Sequence, residues 1–209
     1  FKTPSEKEYS QDFLWRHYLA LPPKGMIGIF NRSHYESVLV CKVHPEYNLK
    51  EKVWKSVKDF DREFWENRYE SIRNFEKHLA QNGTRIIKIF LHISEEEQKQ
   101  RLIARIDEPD KNWKFSLGDL PERALFPEYM KCYEDAINET SKSHARWYVI
   151  PADQKWFARL TAIQIINDTR KKWICSFLKF QMKKDSVCMT RNSSWKVSRF
   201  LRIKEKEPG

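Results

Sequence analysis

The stretch Thr84–Ile106, TRIIKIFLHISEEEQKQRLIARI, sets two unlike patterns side by side. Ile86 to Ile93 is a short, nearly continuous apolar run containing Lys88, as expected of a strand covered on both faces. Ser94, followed three residues later by Glu97, reads as a capping box that opens the helix EEEQKQRLIARI. A buried strand feeding directly into a helix is half of a parallel crossover unit.

The flanking sequence repeats the theme. GMIGIF, residues 25–30, and ARWYVIPA, residues 145–152, read as two further strands. Thr3-Pro4-Ser5-Glu6 predicts an N-capped helix running through QDFLWRHYLAL to Pro22-Pro23. Val53, Val57, Phe60, Phe64, Ile72, Phe75 and Leu79, with a gap at Arg68, predict one long amphipathic helix that Gly83 terminates. After the polar loop DEPDKNWKFSLGD, Asp119 starts a helix to about Thr140, and Asp153 starts a last one to about Trp173. Strands alternating with helices predict an α/β fold with parallel pairing.

The 209 residues are enough for one such domain, and a formal charge of +10 points to polyanionic company. Residues 175–209 carry +6 of that charge, so the basicity belongs largely to the tail. Cys41, Cys132, Cys175 and Cys188 lack the spacing of a zinc site and read as reduced thiols. No stretch has the length and apolarity of a membrane span, and a soluble cytoplasmic protein with no membrane partner is expected. The five glycines form neither a GxxxxGK nor a GxGxxG loop.

Ligands of open parallel sheets bind beyond the carboxyl ends of the strands. Asn31, Arg32, Ser33 and Glu36 fall there, just after the strand expected to end at Phe30. They read either as a site or as a capped loop satisfying its own backbone donors. Arg101 and Arg105 lie four apart on one helix face. That pair is either an ordinary solvated face or one wall of an anion site. Lys111, Trp113, Lys114 and Ser116 come next, on a loop whose composition suits a lid closing over phosphate. Asp59, Asp61 and Glu63 read as solvent-facing, and the six histidines show no metal-binding spacing. Trp147, Tyr148, Trp156 and Phe157 read as core, with a nucleobase slot beside Trp156 as the alternative.

FLWRHYLALPPKGMIGIFNRSHYESVLVCKVHPE, WENRYESIRNFEKHLAQNGTRIIKIFLHISEEEQKQRLIARIDEPDKNWKFSLGDL and WYVIPADQKWFARLTAIQIINDT together resemble the polyphosphate kinase 2 family over about residues 5–170. The resemblance implies a three-layer P-loop kinase-like parallel sheet with helices on both faces. It also implies magnesium-dependent phosphate transfer between inorganic polyphosphate and a nucleoside mono- or diphosphate. Asn31 stands where the family's Walker B segment commonly has Asp, leaving Glu36 as the nearest acidic substitute for holding Mg2+. Arg32, Arg101 and Arg105 match catalytic, phosphate-facing arginines, and Ser33, Lys111 and Lys114 complete the expected phosphate-binding set.

The family's Walker A strand and loop would precede everything in this sequence, so the expectation is an N-terminally truncated phosphotransferase domain over 1–173 and a basic, poorly ordered tail over 174–209. Three readings are open. The chain is such an enzyme, a polyanion-binding relative without turnover, or a remnant without independent function. Polyphosphate and nucleotide are the expected partners, with no specific nucleic acid, and self-association into a homo-oligomer is implied by the family's habit.

Overall fold

The computed structural model describes residues 1 and 3–171. The expected tail over 174–209, with Cys175 and Cys188, lies outside them. The chain divides into two compact units, Phe1–Leu160 and Thr161–Gly209.

The helices of the first unit are α1 (Glu6–Tyr9), α2 (Trp15–Leu19), α3 (Val40–Val43), α4 (Arg62–Gln81), α5 (Glu95–Asp107), α6 (Asp119–Ala124) and α7 (Phe126–Thr140). Strands β1 (Lys88–His92) and β2 (Trp147–Pro151) form the sheet of the described residues. They pair in parallel, with Lys88 opposite Trp147 and His92 opposite Pro151. Helices α5, α6 and α7 make the crossover between them, as the strand-then-helix pattern at Ser94 predicts. Residues 155–171 are helical.

Helix α4 is the backbone of the core. The Asp61 carboxylate accepts the Phe64 N–H at 2.9 Å and starts the helix. At the other end Gly83, at φ +90°, donates to the Ala80 carbonyl, and Thr84 donates to that of Leu79. That pair of bonds is a complete Schellman ending, which needs a left-handed residue at Gly83. Between the caps, Phe64, Arg68, Tyr69, Ile72 and Glu76 form the buried stripe. Tyr69 and Ile72 pack with Tyr35, Val38, Leu39, Cys132 and Ala136 to make the main apolar cluster.

Several sequence expectations are corrected. Residues 26–30 are not a strand, and Met26, Ile27 and Ile29 are 68%, 79% and 88% exposed. No described strand lies beside them to complete a ladder, and backbone without a ladder partner stays outside a sheet. The long helix starts at Arg62 rather than Val53. Ser56 and Asp59 cap each other's backbone in a separate turn, which closes the chain before Asp61 begins afresh. Arg68 is no gap in the stripe but is buried against Glu51, with Nη2 2.8 and 2.6 Å from its two carboxylate oxygens.

The first expected helix is two short ones. It begins at Ser5, whose hydroxyl and Glu8 cap reciprocally, and breaks where the Asp12 carboxylate accepts the Leu14 N–H. The helix expected from Asp119 also divides, because Pro127 lacks an N–H and is tolerated only in the first turn of α7. At Ser94 half of the capping box forms. The hydroxyl takes the Glu97 N–H, but the Ser94 N–H goes to Asp153 Oδ1 at 2.8 Å, tying the start of α5 to the chain beyond β2. Trp156 and Phe157 are not core residues but are 66% and 40% exposed.

Candidate functional site

The segment from Asn31 to Glu36 makes a tight turn into a one-turn 3-10 helix, His34–Ser37. Arg32 has φ +62°, a left-handed conformation uncommon for a residue with a Cβ. Its side chain is exposed and, among the described residues, forms no ion pair. Ser33 follows the capped-loop reading, with its hydroxyl accepting the Tyr35 N–H at 3.4 Å. Asn31 is exposed at the start of this turn. Glu36 is half-buried. Burial pushes its carboxyl above the usual range, while the nearby Arg32 guanidinium pulls it down.

Directly beneath this turn lies a charged network that sequence reasoning missed. Lys88 Nζ sits 2.7 Å from Glu76 Oε2, 2.8 Å from the Tyr35 hydroxyl and 2.9 Å from the Thr140 carbonyl. The Tyr35 hydroxyl is also 2.9 Å from Glu76 Oε1 and 2.8 Å from Thr140 Oγ1. Trp147 Nε1 donates to Thr140 Oγ1 at 2.9 Å. His34 Nε2 stands 3.5 Å from Glu76 Oε1, a long approach that does not satisfy hydrogen-bond geometry. The Lys88 and Glu76 side chains are 5% and 1% exposed. Burial lowers the Lys88 pKa against the pull of Glu76, and burial with Glu76 beside it raises that of Tyr35. The signal in the sequence was Lys88 itself, since a lysine within a buried strand must find a partner.

The four expected lid cations are all engaged. Arg101 Nε pairs with Glu97 at 2.7 Å, and Nη2 donates to the Ala152 carbonyl at 2.6 Å, just past β2. Arg105 pairs with Asp119 at 2.8 Å, joining the end of α5 to the start of α6 across the base of the 108–118 loop. Lys111 pairs with Glu108. Lys114 lies 5.0 Å from the centre of the exposed Trp113 ring, a cation–π contact. Thus α5 brings Arg101 to the carboxyl end of β2, whereas Lys111 and Lys114 are placed on the loop.

A cavity of about 430 Å3 opens at the carboxyl ends of both strands, lined by His92, Ser94, Pro151, Asp153, Trp156 and Phe157. The Ser94 N–H holds the Asp153 carboxyl below its usual range, so that group is ionised. Among the described residues, no three His, Cys, Asp or Glu side chains gather as a metal site.

A parallel crossover carries an arginine turn above a buried ion pair, with polar groups beyond the strand ends, in an α/β arrangement. The chain belongs to the polyphosphate kinase 2 family, whose model matches residues 1–174. It is 50% identical over 177 residues to the ADP-polyphosphate phosphotransferase of Rhodopseudomonas palustris, covering 85% of this chain and 61% of that protein. It is 46% identical over 169 residues to the AMP/ADP-polyphosphate phosphotransferase of Meiothermus ruber, covering 81% and 58%. The crystal structure of polyphosphate kinase 2 from Arthrobacter aurescens superimposes with a TM-score of 0.72 at 45% identity, covering 80% of this chain and 55% of that one. The chain therefore spans about three-fifths of the length of these curated relatives.

Proposed function

We propose that this chain carries the phosphate-facing part of a phosphotransferase that moves phosphate between inorganic polyphosphate and a nucleoside mono- or diphosphate, on a three-layer P-loop kinase-like sheet. The observation that carries the reading is Arg32, a solvent-facing guanidinium that is unpaired among the described residues and is held in a left-handed turn above a buried network. A planar guanidinium is suited to bidentate contact with phosphate oxygens. Phosphoryl transfer asks the protein mainly for positioning and for stabilisation of spread negative charge. Arg101, fastened at the end of β2, and Lys111 and Lys114 on the loop would supply further cationic contacts to a polyphosphate chain.

Magnesium fits this turn in a limited way. Mg2+ takes one or two carboxylates and keeps water and substrate phosphates as its other ligands. Glu36, whose carboxyl burial raises, gains from a cation beside it, and Asn31 precedes it by five residues in the same segment. Bound there, the ion would offset phosphate charge. Arg32 would orient the transferring group, and Ser33 holds the turn through its bond to the Tyr35 N–H.

The test is a luciferase-coupled assay with Mg2+, long-chain polyphosphate and ADP or AMP, together with direct binding of tripolyphosphate. ATP formation that falls at least tenfold in Arg32→Gln supports the reading. Salt-sensitive tripolyphosphate binding without turnover would leave a polyanion-binding protein, and no binding at all would refute both.

A further inference from the structure

We infer that Tyr35 is a positioning residue for Arg32, acting through the buried Lys88–Glu76–Thr140 network; the inference rests on Arg32 being the phosphate ligand proposed above. A residue with a Cβ stays in the left-handed region only when its surroundings over-determine it. Arg32 is followed at once by the Ser33 hydroxyl accepting the Tyr35 N–H and by the Glu36 N–H donating to the Ser33 carbonyl at 3.0 Å. Those local bonds close the turn but do not attach it to the body of the protein.

Attachment comes from the Tyr35 side chain, beside a His34 ring packed on that of Phe75 with centroids 5.4 Å apart. The Tyr35 ring stands at 70° to that of Trp147, with centroids 4.7 Å apart, and its hydroxyl meets groups from β1, α4 and α7. Val38, Leu39 and Tyr69, in the same apolar cluster as Tyr35, are each 4% exposed or less. Only Ser33 and His34 separate the anchored ring from Arg32. The hydroxyl has one proton to donate and accepts from the Lys88 ammonium, so its orientation is set by the ion pair beneath it. Lys88, Glu76 and Thr140 thus act on Arg32 at second hand, without reaching the ligand.

The experiment is a double-mutant cycle on the full chain, reading the tripolyphosphate dissociation constant by calorimetry at a temperature where circular dichroism shows every variant folded. Tyr35→Phe keeps the ring and removes the hydroxyl. The expected result is binding about three- to tenfold weaker in Tyr35→Phe, and no further weakening when it is added to Arg32→Gln. A purely structural role would instead lower the melting temperature and leave binding by the folded protein unchanged. Equal weakening in both backgrounds overturns the inference, as does no weakening beside an effective Arg32→Gln. If Arg32→Gln itself leaves binding unchanged, the phosphate role of Arg32 fails and the inference falls with it. Should Tyr35→Phe not fold, Thr140→Val takes its place, with the same outcomes deciding.

Discussion

Replacing Lys88 by Met isolates the worth of the buried ion pair. Glu76 is 1% exposed, and Lys88 supplies its shortest contact, at 2.7 Å. Methionine fills much of the lysine's volume, so the cost of the change is mainly electrostatic. What remains hydrogen-bonded to Glu76 is one tyrosine hydroxyl, which does not replace a full positive charge. Removing one partner of a buried pair costs about 3–5 kcal/mol, because the other charge is left uncompensated. Against a total stability of about 5–15 kcal/mol, that is a large fraction. Urea denaturation followed by tryptophan fluorescence reads it directly.

Adding Glu76→Met to Lys88→Met should recover most of the loss, since an apolar pair of similar volume needs no solvation. A cost for Lys88→Met below about 1 kcal/mol would refute the claim that a charged pair occupies this core.

Two further outcomes are expected. His17 is buried, and that burial, with His34 and Arg16 nearby, holds its imidazole down to about 3. The unfolded chain binds this proton below about 6.5 and the folded one does not, so stability is full above that pH and is lost as the pH falls toward 3. The loss at pH 5 is about 2 kcal/mol, and His17→Phe should flatten the dependence of melting temperature on pH; an unchanged slope would exclude His17 as its source. Gly83→Ala meets no neighbour within 4 Å, so its whole cost is the left-handed backbone at φ +90°, about 1–2 kcal/mol. Chemical denaturation showing no loss would mean that α4 ends differently.

Features decided within a few residues were legible in the sequence. Ser94 caps α5, Gly83 ends α4, and the runs at 88–92 and 147–151 pair in parallel as their composition suggests. Residues 26–30 show why apolarity alone falls short: a strand exists only with a neighbour, and the run carries no information about one. Val53 and Val57 continue the spacing of α4, but the Ser56–Asp59 turn outcompetes one more turn of helix there. In the candidate site, Arg32 and Arg101 were visible as residue types. Their settings were not, because Tyr35 finds Lys88 and Thr140 across 53 and 105 residues of chain. Only the topology brings such groups together, and only the odd lysine in a buried strand hints that it must.

Arg101 commits two of its three guanidinium nitrogens, Nε to Glu97 and Nη2 to the Ala152 carbonyl. Among the described residues, Nη1 has no partner. The group is thus aimed before any ligand arrives, and its long side chain has already given up the rotamer freedom that a loose surface arginine would lose on meeting an anion. An oxyanion approaching Nη1 would find two donors waiting and no existing bond to break, which makes this arginine a fixed fitting on the end of β2 and not a flexible arm reaching for its target.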